Sequence, residues 1–188
     1  MPNWCNNELT ITGPKRERDL FVKHAHGTTR FEKEKVLCED QFIPYPKEYA
    51  DKDVLYKKLE DAYWRAYKAD GMEKEQNATN AEIIVYGKKW KAWHDANPRP
   101  DVKDGYNSGG YDWCCKNWGT KWGFVDPELH RNKGEDFYTF NTAWSPPVPL
   151  IRMMSSMFPT LEFHVDWEEE GGDKGEFTFK AGDHIKFR

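Results

Sequence analysis

Glu162, His164, Asp166 and Glu168 follow one another at every second position. In an extended strand that spacing puts all four on one side, with neighbours about 7 Å apart from twice the rise per residue. Carboxylates set beside an imidazole are the groups that a hard cation or a general acid–base pair uses. Glu8 and Glu176 can join them from other strands. A solvated sheet face, or one covered by another part of the chain, shows the same pattern. No second histidine and no recognisable metal-ligand spacing converges here. The sequence therefore favours the solvated face and predicts neither a metal nor a cofactor.

A second cluster carries different chemistry. Residues 111–124, Tyr-Asp-Trp-Cys-Cys-Lys-Asn-Trp-Gly-Thr-Lys-Trp-Gly-Phe, hold three tryptophans. Tryptophan brings a large apolar area and one obligatory donor, so several crowded together build a core corner or wall a pocket for something flat. The sequence leaves both open. In the pocket reading Asn117, Trp118, Lys121, Trp122 and Trp144 form the ligand site. The indoles stack on a base, and Asn117 and Lys121 donate to phosphate or ribose. A helical turn from Asp112 to Trp118, ended by Gly119, places Trp118 and Trp122 across a cleft. Trp122 and Phe124 then share one face of the next strand.

Other chemistry finds little support. Cys114 lacks a nucleophile signature that would pair it with His130 or His164, and no phosphate loop or dinucleotide fingerprint is present. Cys5, Cys38, Cys114 and Cys115 form no C-x-x-C pair and read as buried apolar thiols. Asn77-Ala78-Thr79 matches a glycosylation sequon, which carries no weight without a secretory signal. The N-terminus has no such signal, which points to the cytoplasm. Charged residues make up 32% of the 188, and no apolar run approaches the roughly 20 residues of a membrane helix. A net charge of −4 gives no general attraction to nucleic acid or anionic lipid.

These residues need elements to hold them. Glu8–Thr12 alternates as a strand, and Gly13-Pro14 stops it. Pro14 opens a helix with Leu20, Phe21 and His24 on one side. Phe31–Cys38 reads as a short strand. From residue 47 to 110 the period becomes helical: Leu55, Leu59, Ala62, Tyr63 and Ala66 form one stripe, ended by Gly71. Asn80 caps a second helix bearing Ile83, Ile84, Trp90 and Trp93. Residues 137–144 are a strand, Pro149 opens a helix striped by Leu150, Ile151, Met154, Met157 and Phe158, and residues 161–168 are again a strand. Phe177 and Phe179 alternate within the last clear strand. Strand, helix, paired strands, helix, strand is the ferredoxin-like order. The expectation is one α+β domain over 1–188: an antiparallel sheet with two packed helices and a helical insertion at 47–110. Leu9, Ile11, Phe163, Val165, Phe177 and Phe179 should face the helices, leaving the other face polar. Threonine and acid on that face argue against base stacking in the RNA-binding manner, although Phe137 and Tyr138 put aromatics at both parities of the central strand.

Five segments in order resemble the YubB-type ferredoxin-like proteins of plasmids and phages. They are Met1–Gly13, Phe42-Ile43-Pro44-Tyr45-Pro46, Trp113 to Trp122, Phe140-Asn141-Thr142-Ala143-Trp144-Ser145-Pro146-Pro147, and Phe163 to Gly175. The tryptophan block and the Thr-Ala-Trp-Ser-Pro-Pro block are the specific ones, and 47–110 matches nothing in the family. The resemblance implies a ferredoxin-like core and a mobile-element origin, with no catalytic residues attached. The resulting expectation is a non-enzymatic accessory protein that counteracts host defence. Its partner is a small nucleotide signal or a host defence protein. The alternative is a nucleotide-modifying hydrolase on the acidic, histidine-bearing face; single-stranded nucleic-acid binding is weaker. Homo-oligomer formation is left open by the sequence.

Overall fold

The computed structural model describes residues 3–31, 33–73 and 79–187. Met1 and Pro2 of the first family-like segment, Glu32 of the expected 31–38 strand, and Asn77 and Ala78 of the sequon lie outside the described residues. The chain divides into two compact units, residues 1–47 with 109–188, and residues 48–108.

The first unit is built on β1 (Trp4–Thr12), α1 (Lys15–Ala25), β2 (Gly27–Thr28), β3 (Glu34–Lys35), α4 (Gly110–Asn117), β4 (Val125–Arg131), β5 (Glu135–Ala143), α5 (Val148–Met157), β6 (Glu162–Glu169), β7 (Lys174–Lys180) and β8 (Asp183–Phe187). Six strands form one sheet in the order β4-β5-β1-β6-β7-β8, and every neighbouring pair is antiparallel. β1, α1, β4, β5, α5 and β6 run in the ferredoxin-like sequence, with β1 seated between β6 and β5. β7 and β8 extend the β6 side, while β2 and β3 pair as a separate two-stranded ribbon.

The period-2 patterns decide which face is buried. Leu9 and Ile11, Tyr138 and Phe140, Phe163 and Val165, and Phe177 and Phe179 all lie in the core with Leu150, Ile151 and Met154 of α5 and Phe21 of α1. The Phe21 ring stands 5.2 to 6.1 Å from those of Phe42, Tyr138, Phe158 and Phe163. Each such fully buried side chain stabilises the fold by about 1.5–3 kcal/mol relative to exposure. Burial pushes the Tyr138 phenol above its ordinary pKa and the Cys5 thiol up to about 11.

Several helix faces differ from the expected ones. Leu20 is exposed, and α1 instead buries Arg18, Phe21 and Ala25. Arg18 turns inward because the buried Asp136 faces it, Nη1 to Oδ2 at 3.1 Å. Met157, the last residue of α5, is exposed. In place of one strand at 31–38 stand the short β3 and a buried Leu37-Cys38 pair.

The second unit holds α3 (Asn80–Ala96) and nearly all of α2 (Lys47–Ala69). α2 buries Asp53, Tyr63 and Tyr67, while Leu55, Ala62 and Ala66 are exposed. The chosen face is the one with hydrogen-bond partners. Asp53 Oδ1 accepts from the Tyr106 N–H at 2.9 Å, Tyr63 Oη bonds His94 Nδ1, and Tyr67 and Tyr86 join through their hydroxyls at 2.6 Å. The N-cap of α3 is Thr79 rather than Asn80. The Thr79 hydroxyl accepts from the Glu82 N–H, and the Glu82 carboxylate accepts from the Thr79 N–H, a reciprocal capping box. α3 buries no residue, and Ile83, Ile84 and Trp90 are exposed.

Candidate functional site

The Trp-rich segment folds as one short helix followed by a turn. α4 ends at Asn117, and Gly119 takes φ +79, a conformation that favours glycine. A Cβ there would also lie 2.5 Å from Cδ of Pro149. Trp118 therefore points into the core. It is 1% exposed, its indole N–H donates to the Ile43 carbonyl at 2.8 Å, and its ring packs on Tyr45 and Trp113. It presents no ring face to a ligand. Asn117 Nδ2 donates to the Trp113 carbonyl at 2.9 Å, holding the helix end rather than the rim of a cleft. Trp122 and Phe124 do not share a face. Phe124 is fully buried against Phe140 and Trp122 is half-buried, because the strand begins only at Val125.

Trp144 is the opposite case. It is 47% exposed and sits at φ +73, a left-handed backbone that costs a non-glycine residue on the order of 1–3 kcal/mol. Hydrogen bonds on either side impose that conformation. The Thr120 hydroxyl donates to the Ala143 carbonyl at 3.0 Å and lies 3.1 Å from the Ala143 N–H. Ser145 Oγ donates to the Gly119 carbonyl at 2.8 Å, and Thr142 Oγ1 donates to the Ser145 carbonyl at 2.7 Å. Asn7 Nδ2 donates to that same Thr142 oxygen at 2.9 Å, and the Trp144 N–H donates to the Asn3 carbonyl at 3.0 Å. The Lys121 ammonium stands 4.1 Å from the Trp122 ring centroid and 4.3 Å from that of Trp144. Trp4 packs on Trp122 at 5.9 Å and Tyr111 on Trp144 at 6.3 Å. A hydrogen bond with Cys115 raises the Tyr111 phenol above its usual pKa. Of the five residues expected at the site, the structure brings Lys121, Trp122 and Trp144 together at the surface. Trp4 and Tyr111 were missed; Trp4 stands directly opposite Ala143, one residue before Trp144.

The open face of the sheet is a second concavity, a groove of about 770 Å³. Its lining includes Glu8, Glu128, Asp166, Glu168 and Glu176, with Asn6 and Asn141. Register explains the convergence. Glu128, Thr139, Glu8, Asp166 and Glu176 stand opposite one another across β4, β5, β1, β6 and β7. His164 Nε2 lies 3.1 Å from Asp166 Oδ2 and 3.6 Å from Glu176 Oε2, and its Nδ1 lies 2.8 Å from Thr178 Oγ1. Glu162 instead faces Lys180 at the strand end. Phe137 turns to this face as well, stacked on His130 with centroids 4.6 Å apart.

Residues 118–188 match the family model described as the ferredoxin-like domain in Api92-like protein. Among solved structures, the chain is similar to the crystal structure of the protein api92 from Yersinia pseudotuberculosis, with a TM-score of 0.53 and 12% identity over 100% of this chain and 98% of that one. At that identity the likeness shows the fold alone. No curated protein matches the sequence. Among the described residues, no helix is long and apolar enough to cross a membrane.

Proposed function

We propose that this chain is a non-enzymatic binding protein that captures a flat, anionic ligand of the nucleotide class on the Trp144 corner. One observation carries this: a half-exposed indole held in a strained backbone by hydrogen bonds from both flanks, with a lysine ammonium against its ring. Single exposed aromatics are ordinary. A strained one, fixed by Thr120, Thr142, Ser145 and Asn7, has a conformation that the surrounding fold over-determines. The base stacks on Trp144, and Lys121 turns from the indoles to the phosphate. The resemblance to YubB-type proteins of plasmids and phages supplies the finer part, a mobile-element protein acting against host defence. The ligand is then a defence nucleotide signal, and a host defence protein is the other occupant of the same corner.

Thermal-shift and tryptophan-fluorescence titrations against cyclic and ADP-ribose-derived nucleotides test this. Trp144→Leu and Lys121→Met should abolish binding while the melting temperature barely moves. Unchanged binding in both variants, or no nucleotide response together with capture of a host protein that ignores both substitutions, removes the proposal. A hydrolytic reading is favoured by one separate observation, the His164–Asp166–Glu176 group on the open sheet face, two of whose members, Asp166 and Glu176, line the groove. Chromatography of the bound nucleotide after long incubation separates the two, since a capture protein returns it intact on denaturation.

A further inference from the structure

We infer that the open face of the sheet carries a binding site for one divalent transition-metal ion of the manganese or zinc class, held by His164, Asp166 and Glu176. This departs from the sequence-only expectation of a solvated face without a metal, and it concerns a surface distinct from the Trp144 corner.

The donor atoms are already gathered. One ring nitrogen and one oxygen from each carboxylate lie within 4.8 Å of one another, the one group of three potential ligands among the described residues. Two ligands each about 2.1 Å from an ion at a tetrahedral or octahedral angle are about 3.0–3.5 Å apart. The Nε2 separation of 3.1 Å from Asp166 falls in that range, and the 3.6 Å from Glu176 lies just beyond it, so the group has to draw in slightly around an ion. Three protein ligands, two of them lining the groove, leave further positions for water or a bound anion.

The imidazole is held in the orientation that ligation requires. His164 and Thr178 are opposite partners on β6 and β7. The buried Thr178 hydroxyl meets Nδ1 at 2.8 Å; with an ion bound, an Nδ1–H donated to Thr178 would leave the Nε2 lone pair for the metal. Metal-binding histidines characteristically have their second nitrogen fixed this way. Thr178 comes from a different strand and is not a ligand, so its placement is a separate observation from the ligand cluster.

Electrostatics adds a reason for a cation. Glu8, Asp166 and Glu176 are directly opposed on three neighbouring strands, and like charges so placed destabilise a sheet. His164 supplies at most one positive charge to this group, whereas a divalent ion offsets two carboxylates. A mixed imidazole and carboxylate set suits manganese or zinc better than calcium or magnesium, which prefer all-oxygen sites.

Manganese(II) is the probe, because it is less drawn than zinc to the chain's thiols. Titration of the full chain, followed by loss of the electron paramagnetic resonance signal of free aqueous Mn²⁺, should saturate at one ion per chain and raise the melting temperature. His164→Gln, Asp166→Asn and Glu176→Gln should each weaken binding by about tenfold or more, and Thr178→Val by about tenfold. Glu168→Gln, on the same face but outside the group, should leave affinity unchanged, as should Trp144→Leu. Circular dichroism identifies any variant that fails to fold, and the remaining two ligand variants then carry the test. Absence of binding at millimolar Mn²⁺, or equal binding by folded ligand variants, overturns the proposal.

Discussion

Trp118 and Trp144 belong to one braced segment and differ in every physical respect. Trp118 has a carbonyl for its N–H, aromatic neighbours and no solvent. Trp144 has a strained backbone, a lysine against its ring and nearly half its surface in water. The brace that fixes the second depends on the placement of the first, since Gly119 and Thr120 follow Trp118 and bond to Ser145 and Ala143. A residue type so costly to expose is thus used once to make a rigid floor and once to stand on it. The same division appears among charges. Arg131 reaches Asp136, buried beside Arg18, through Nε at 3.1 Å, and Asp19, exposed, through Nη2 at 2.5 Å.

The buried members carry the largest expected effects. Trp118→Ala should destabilise the protein by about 3–5 kcal/mol, the usual cost of deleting a large buried aromatic, with the Ile43 carbonyl also losing its donor. Urea denaturation measures it; a loss under about 1 kcal/mol would put Trp118 outside the core. Asp136→Ala should cost a similar or slightly smaller amount, about 3–5 kcal/mol, because Arg18 is left buried without its partner. A stable Asp136→Ala protein would mean that water reaches Arg18.

The exposed acid should show the smallest effect, and its pH dependence has a defined sign. Hydrogen bonds from Lys15 and Arg131 hold the Asp19 carboxyl down at about 2, below its ordinary 3.8. A depressed folded-state pKa stabilises above the unfolded value and is lost as pH falls through the folded one. Asp19→Asn should therefore narrow the melting-temperature gap to wild type between pH about 4 and about 2, and the gap above pH 5 should be small, as expected for an exposed ion pair. A gap that widens on acidification would reverse the assignment.

The sheet was legible because burial there obeys a strict period. Phe163 and Val165 inside, His164 and Asp166 outside, and the α5 stripe through Leu150, Ile151 and Met154 all follow from alternation and helical spacing. Period alone judged α2 only in part: Tyr63 of the expected stripe is buried, but Tyr67 joins it in place of Leu55, Ala62 and Ala66, because both tyrosine hydroxyls have partners on residues far along the chain. The Thr79–Glu82 capping box was present in the sequence as T-x-x-E, one residue before the expected cap. The candidate site was half legible. Composition located the aromatic corner, but nothing local distinguishes Trp118 from Trp122; the carbonyl of Ile43 does, and it lies in a distant segment. Convergence of Glu8, Asp166 and Glu176 required strand register, which no single strand contains.

The bulge in β4 has a consequence for assembly. Its register shifts between Val125 and Glu128, Asp126 lies at φ +48, and Pro127 has no amide hydrogen. β4 is an edge strand, and a bulge and a proline within an edge strand both hinder its pairing with another chain. That border does not invite a visiting strand to lengthen the sheet, so backbone zippering between molecules is disfavoured there.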